Sequence, residues 1–367
     1  MKSITALLLA AASLGAATLP MDSTRGDVLF QLQGCVQCHS LKGMGAQTAP
    51  DLGKVLDRAY TPALLAGAMW NHAPAMWSSI REKGLKVGEL DSQAAADLFA
   101  SFYSARYFDT AGDAARGKRF FASRSCERCH GLTSSPNPSA KPVAEWQGLA
   151  DPIALVGAMW NHSPAMWTEL SHRRISWPAM SAQDLTDLQV YVRNAAAVKP
   201  GAPVFRITAG NEGEKLFTEK GCAHCHNNHQ PPPASMTLTG VAAAMWNHAP
   251  MLHSEPPRLT SEEMREVLSV YWAKQFFQGS GDASSGKRVF ASKHCTDCHS
   301  GAGPGPDLSA NAGSYSGISM VSALWRHGPA MLEQMQAKKI SWPVFKAGEM
   351  ADMIAYLNRN KTTRRNP

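Results

Sequence analysis

Four pentapeptides in this chain place two thiols and an imidazole at fixed spacing: Cys35-Val36-Gln37-Cys38-His39, Cys126-Glu127-Arg128-Cys129-His130, Cys222-Ala223-His224-Cys225-His226 and Cys295-Thr296-Asp297-Cys298-His299. They consume all 8 cysteines. Two thiols one helical turn apart can add to the two vinyl groups of one porphyrin edge. The histidine that follows can then ligate the iron. The motifs predict four covalently bound haem c groups. Cys35, Cys38, Cys126, Cys129, Cys222, Cys225, Cys295 and Cys298 are the anchors, and His39, His130, His226 and His299 the first axial ligands.

Zinc and disulfides are the competing chemistries. A four-cysteine zinc ribbon needs its two CxxC knuckles about 15 to 20 residues apart, whereas successive pairs here begin 91, 96 and 73 residues apart. A disulfide framework fits an oxidising compartment but leaves the four histidines unexplained.

The second axial ligand decides the electronics. Each repeat has a second histidine in a shared register: Met69-Trp70-Asn71-His72, Met159-Trp160-Asn161-His162, Met245-Trp246-Asn247-His248 and Leu324-Trp325-Arg326-His327. Methionine is the alternative. Met76, Met166 and Met331 lie four residues after that histidine, but in the third repeat Met251 falls one residue early, and Leu252 takes the matching place. The common register favours His72, His162, His248 and His327, with Met76, Met166, Met251 and Met331 kept as alternatives. A thioether raises the potential of a His-ligated haem, so paired histidines imply a lower-potential carrier. Either choice fills both axial positions, which suits electron transfer rather than catalysis.

The elements that must position these groups repeat as well. A glycine stands nine residues before each first cysteine (Gly26, Gly117, Gly213, Gly286) and a phenylalanine five before it (Phe30, Phe121, Phe217, Phe290). This pattern predicts a helix running into the motif with the Phe on its buried face. Gly/Pro-rich loops follow (Pro50 to Leu52, Pro136 to Pro142, Pro231 to Pro233, Pro304 to Leu308), as backbone wrapping a flat group without regular structure requires. A second helix begins at an N-cap eleven residues before the shared histidine, at Thr61, Asp151, Thr237 or Ser316. Pro62 and Pro152 occupy its first position in two repeats. Pro74, Pro164, Pro250 and Pro329 are expected to end it, leaving each histidine at a helix end. A last helix is announced by capping boxes at Thr260 to Glu263 and Ser181 to Asp184 and carries aromatics: Phe102, Tyr103, Tyr191, Tyr271, Trp272 and Tyr356.

Three helices around one haem, with an aromatic on the first and last, resemble the class I cytochrome c fold. The resemblance spans nearly the whole mature chain, four times over. It implies an all-α protein of four tandem cytochrome c-like domains, residues 22–110, 111–200, 201–279 and 280–367, strung as beads with linkers at 198–203 and 279–282. Repeats 2 and 4 share Ile175-Ser176-Trp177-Pro178 and Ile340-Ser341-Trp342-Pro343, which hints at duplication of a two-domain unit. Trp70, Trp160, Trp246 and Trp325 are expected to pack on haem. Asn71, Asn161 and Asn247 are read as propionate or backbone partners, with Arg326 able to pair a propionate by charge. Met180 is expected in the core, and His172, His224, His229, His253 and His294 at the surface.

Lys2 precedes an apolar run, Ile4 to Ala17, ending in small residues. This reads as a secretory signal over residues 1–17. Export to the periplasm or beyond follows, with no stable membrane span after cleavage. The formal charge of +7 is offset by two propionates per haem, so it is no argument for nucleic acid. Basic clusters at Lys118, Arg119, Arg124 and Arg128 and at Lys287, Arg288 and Lys293 suit either a solvated face or an acidic redox partner. The expected function is electron carriage in a respiratory chain. The donor would be a membrane quinol-oxidising or dehydrogenase complex, and the acceptor another cytochrome or a terminal reductase. The alternative is a multihaem oxidoreductase of peroxidase-like or sulfur-oxyanion type, or its cytochrome subunit.

Overall fold

The computed structural model describes residues 19–41, 43–54, 60–107, 112–146, 149, 152–194, 206–207, 212–226, 238–252, 255–272, 281–310 and 313–363. The expected signal segment, the boundaries at 110, 200 and 279, the caps Asp151 and Thr237, the Pro231 to Pro233 loop, His229 and His253 lie outside them. The chain is mostly helical. Repeat 1 comprises strand β1 (Met21–Asp22), helix α1 (Ser23–Leu32), the short hairpin β2 (Ser40–Leu41) and β3 (Met44–Gly45), and helices α2 (Pro62–Glu82) and α3 (Ser92–Tyr107). Repeat 2 contains α4 (Ala114–Ser123), α5 (Pro152–His172) and α6 (Ala182–Arg193). Repeat 3 contains strand β4 (Arg206–Ile207), α7 (Gly213–Glu219), α8 (Leu238–His248) and α9 (Ser261–Trp272). Repeat 4 contains α10 (Ala283–Ser292), a single turn α11 (Thr296–His299), α12 (Gly317–Ala337) and α13 (Glu349–Thr363).

In every repeat the first helix packs on the last: α1 on α3, α4 on α6, α7 on α9 and α10 on α13. The repeated glycine explains how closely they cross. A methyl group on Gly26, Gly117 or Gly286 would collide with the backbone carbonyl of Asp97, Asp187 or Asp352 on the last helix. The repeated Phe sits in this crossing. Phe30 meets Phe102 edge-on at 6.1 Å, Phe121 meets Tyr191 at 5.8 Å and Phe290 meets Tyr356 at 5.5 Å.

Those three aspartates also hold the helix starts. Asp22, Asp113 and Asp282 cap α1, α4 and α10 with their side chains, and their own backbone N–H groups donate to Asp97, Asp187 and Asp352 at 2.7 to 2.8 Å. Arg25 and Arg116 each add a two-pronged contact to Asp97 and Asp187. Asp97 and Asp187 are almost fully buried, and a buried carboxylate persists only when its oxygens are satisfied in this way.

The second helices depart from expectation. Thr61 and Ser316 cap α2 and α12 as read from the sequence, but Pro74, Pro164 and Pro329 lie inside their helices. Only repeat 3 breaks at the histidine, where α8 ends at His248 and a 3-10 turn, Ala249–Met251, follows. A proline in a helix interior strands the carbonyl four residues back. Here that carbonyl is reused. Trp70 O accepts the indole N–H of Trp342 at 2.9 Å, and Trp160 O accepts the Ser163 hydroxyl at 2.7 Å.

The repeats do not form a string of beads. Helix α2 of repeat 1 packs on α12 and α13 of repeat 4, and α12 on α3. Likewise α5 packs on α8 and α9, and α8 on α6. The chain therefore folds as two pairs, 1 with 4 and 2 with 3. Strands β1 and β4 pair antiparallel, Met21 opposite Ile207, and Arg206 bridges to Asp22, which joins repeat 1 to repeat 3.

Candidate haem sites

Each CxxCH motif follows directly on a first helix through one left-handed residue: Gly34 (φ 74°), Ser125 (φ 62°), Gly221 (φ 78°) and His294 (φ 62°). Glycine adopts this conformation freely. A residue with a Cβ pays about 1 to 2 kcal/mol for it. Ser125 and His294 thus carry local strain where the chain must turn sharply to present its thiols. His294 is exposed, as are His172 and His224. After the turn, the backbone N–H of His39, His130, His226 and His299 donates to the carbonyl of the first cysteine in its motif at 2.8 to 3.0 Å, which closes the turn and fixes the spacing of the two thiols.

All eight cysteines are free thiols. Burial pushes the Cys35, Cys126 and Cys295 thiols up to about 11, and raises Cys222 as well. Among the described residues no three metal-ligating side chains of the Cys, His, Asp or Glu type converge.

The proximal histidines are oriented by backbone. Nδ1 of His39 bonds Pro50 O at 2.8 Å, that of His130 bonds Lys141 O at 2.9 Å, and that of His299 bonds Pro306 O at 3.0 Å. A carbonyl only accepts, so Nδ1 carries the proton and Nε2 keeps its lone pair for a metal. The Pro-rich loops thus act as ring holders.

Across from them stand the second histidines. Ring centroids are 6.2 Å apart for His39 and His72, 5.7 Å for His130 and His162, and 6.0 Å for His226 and His248. A metal–imidazole bond is about 2 Å and a ring centroid lies about 1 Å behind its nitrogen, so two rings sharing one metal stand about 6 Å apart. The three separations leave room for one metal ion between each pair of rings. Burial, then the charge of the facing histidine, lowers the pKa of His72 and His162, favouring the neutral form that ligates. His299 and His327 make no such ring contact among the described residues. The fourth repeat has the same motif and helix position.

Met76 packs against Ala73, Trp77 and Leu324 between α2 and α12, Met166 packs against the main core, and Met251 is 64% exposed. Met180 is buried, as expected.

The Trp ahead of each second histidine, and the Asn that follows it in repeats 1 to 3, hydrogen-bond across the repeat pairs. Trp70, Trp160 and Trp246 donate their indole N–H to Pro343 O, Pro257 O and Pro178 O at 2.9 to 3.0 Å, and Trp325 to Gly88 O at 3.1 Å. Each acceptor belongs to the partner repeat. Asn71, Asn161 and Asn247 clamp both the N–H and the C=O of Phe345, Leu259 and Met180. A side-chain amide is the one neutral group that can donate and accept in this way at once. Arg326 lacks the acceptor. A cleft of about 370 Å³ lined by Trp77, Arg81, Leu90, Trp325 and Arg326 lies at that point. Trp342 stacks on Trp70 at 5.1 Å and Trp177 lies tilted against Trp246 at 4.4 Å, so the shared Ile-Ser-Trp-Pro segments are interface pieces too. Lys293 is likewise structural, bound to Val344 O and Glu349, whereas Lys118, Arg119, Arg124, Arg128, Lys287 and Arg288 are exposed.

Residues 281–357 match the family described as cytochrome C oxidase, cbb3-type, subunit III. The match supports a c-type cytochrome domain in this segment. It contains Cys295, Cys298 and His299, so covalently bound haem c and electron transfer follow for it. No curated protein and no solved structure matches the chain. Among the described residues no helix is long and apolar enough to cross a membrane.

Proposed function

We propose that the chain is a tetrahaem c-type cytochrome that carries electrons in a periplasmic or extracellular respiratory chain, between a quinol-oxidising or dehydrogenase complex and another cytochrome or terminal reductase. The observation that carries this reading is the facing of two histidine rings, 5.7 to 6.2 Å apart, beside a CxxC pair in three repeats. The fourth repeat lies in the segment that matches a cytochrome family. Bound haem c supplies an iron that gains and loses one electron. The thiols of each motif would form the two thioether bonds. His39, His130, His226 and His299, oriented through Nδ1, would hold one axial position, and His72, His162, His248 and His327 the other. With both positions filled by protein, no small molecule reaches the metal without displacing a side chain, and the role is carriage rather than turnover.

Intact mass of the exported protein tests the haem number. A mass equal to the polypeptide plus four haems is expected, and a smaller increment refutes the tetrahaem reading. Turnover of peroxide, nitrite or sulfite at about 1 per second or faster would move the assignment to an enzyme.

A further inference from the structure

The residue after each second histidine is small: Ala73, Ser163, Ala249 and Gly328. All four are buried, Ala73 completely. They stand where the second helices meet. Ala73 clusters with Trp77 and Leu324 where α2 packs on α12. A Cβ on Gly328 would strike the Trp77 ring. Ser163 and Ala249 stand on α5 and on the turn after α8, which pack together. Small residues at a contact let helix axes approach to the lower end of the usual range, about 8 to 10 Å. His72 and His327 therefore flank one crossing, and His162 and His248 the other. The first crossing joins repeats 1 and 4, the two ends of the chain, and the second joins the consecutive repeats 2 and 3.

We propose that the four haems exchange electrons in packing order, 4–1–3–2, as two close pairs bridged by the β1–β4 contact, and not in chain order. The inference rests on the tetrahaem reading. Each exchange moves one electron from a ferrous to a ferric iron, with no bond made or broken. Indole pairs span both crossings, Trp70 stacked on Trp342 and Trp177 tilted against Trp246. A separate observation fits the ends of this order. Repeats 4 and 2 are the ones whose first helices carry exposed basic pairs, Lys287 with Arg288 and Lys118 with Arg119. The inner repeats offer no such pair on α1 or α7. Electrons would enter and leave at the two basic faces, which suit acidic partners.

The test is stepwise reduction of the holoprotein followed by paramagnetic NMR of haem methyl lines, each assigned through its thioether cysteines. Charge on one haem shifts the potential of its nearest neighbour most. In the native protein the largest interactions are expected between repeats 1 and 4 and between 2 and 3. His327→Met raises the potential of the repeat 4 haem, so that it takes the first electron. The repeat 1 haem should then respond more than the repeat 3 haem. A larger response from repeat 3, or equal responses, overturns the proposed order. Should His327→Met fail to fold, the native titration decides alone. Fewer than four haems by mass overturns the tetrahaem reading and the order with it. Four haems with the strongest interactions between repeats 1 and 2 or between repeats 3 and 4 overturns only the order.

Discussion

Asn161→Ala removes a two-way amide clamp. Asn161 Nδ2 donates to Leu259 O at 2.5 Å, and Leu259 N donates to Asn161 Oδ1 at 2.9 Å. Leu259 is 3% exposed, so truncation leaves its N–H and C=O without partners and largely out of reach of water. Each lost bond is worth about 1 kcal/mol net, and each stranded buried group costs about 1 to 3 kcal/mol more. Some relaxation is available because Leu259 stands just ahead of α9, so the working figure is about 2 to 4 kcal/mol. The reciprocal clamp of Asn247 on Met180 remains and keeps repeats 2 and 3 together, which makes the loss measurable in a folded protein. Hydrogen exchange is the assay. Protection of the Leu259 amide should fall by about 30-fold or more, with the first helices unaffected. Unchanged protection, accompanied by a shift in the potential of the repeat 2 haem, would refute the clamp and return Asn161 to the propionate role read from the sequence.

Gly117→Ala forces a methyl group against Asp187 O; opening the α4–α6 crossing should cost about 1 to 3 kcal/mol in denaturant unfolding, and an unchanged midpoint would contradict the crossing. The Asp187 pKa is lowered, first by its hydrogen bond from Arg116, so this pair stabilises the fold above the unfolded value of 3.8 and stops doing so as pH falls through the lower folded value. Arg116→Gln should therefore lower stability at pH 7, with the deficit shrinking below about pH 4; an equal deficit at pH 7 and pH 3 would sink the argument. His248→Ala should open one haem to carbon monoxide, while Met251→Ala, at an exposed position, should leave the spectrum unchanged; the reverse pattern would overturn histidine ligation in repeat 3.

The chemistry was legible in the sequence because it is local. Thiol spacing, the histidine beside it, the Thr61 and Ser316 caps, and the boxes at Ser181 and Thr260 all act within four residues, so one stretch of chain suffices to specify them. The shared register of His72, His162, His248 and His327 was visible as well. Three features waited for the tertiary structure because their partners lie far along the chain. Gly26, Gly117 and Gly286, ahead of three of the motifs, are required by a carbonyl some seventy residues away. The prolines inside α2, α5 and α12 are tolerated where packing and a stranded carbonyl's new donor support them, as Trp342 supports Trp70, and a rule based on neighbours alone predicts a helix end. The Trp-Asn motif marks the second histidine in the sequence, yet its hydrogen bonds reach the partner repeat, up to 274 positions away. Local sequence fixes what each repeat can hold. Which repeats stand together is decided by those long-range donors and acceptors.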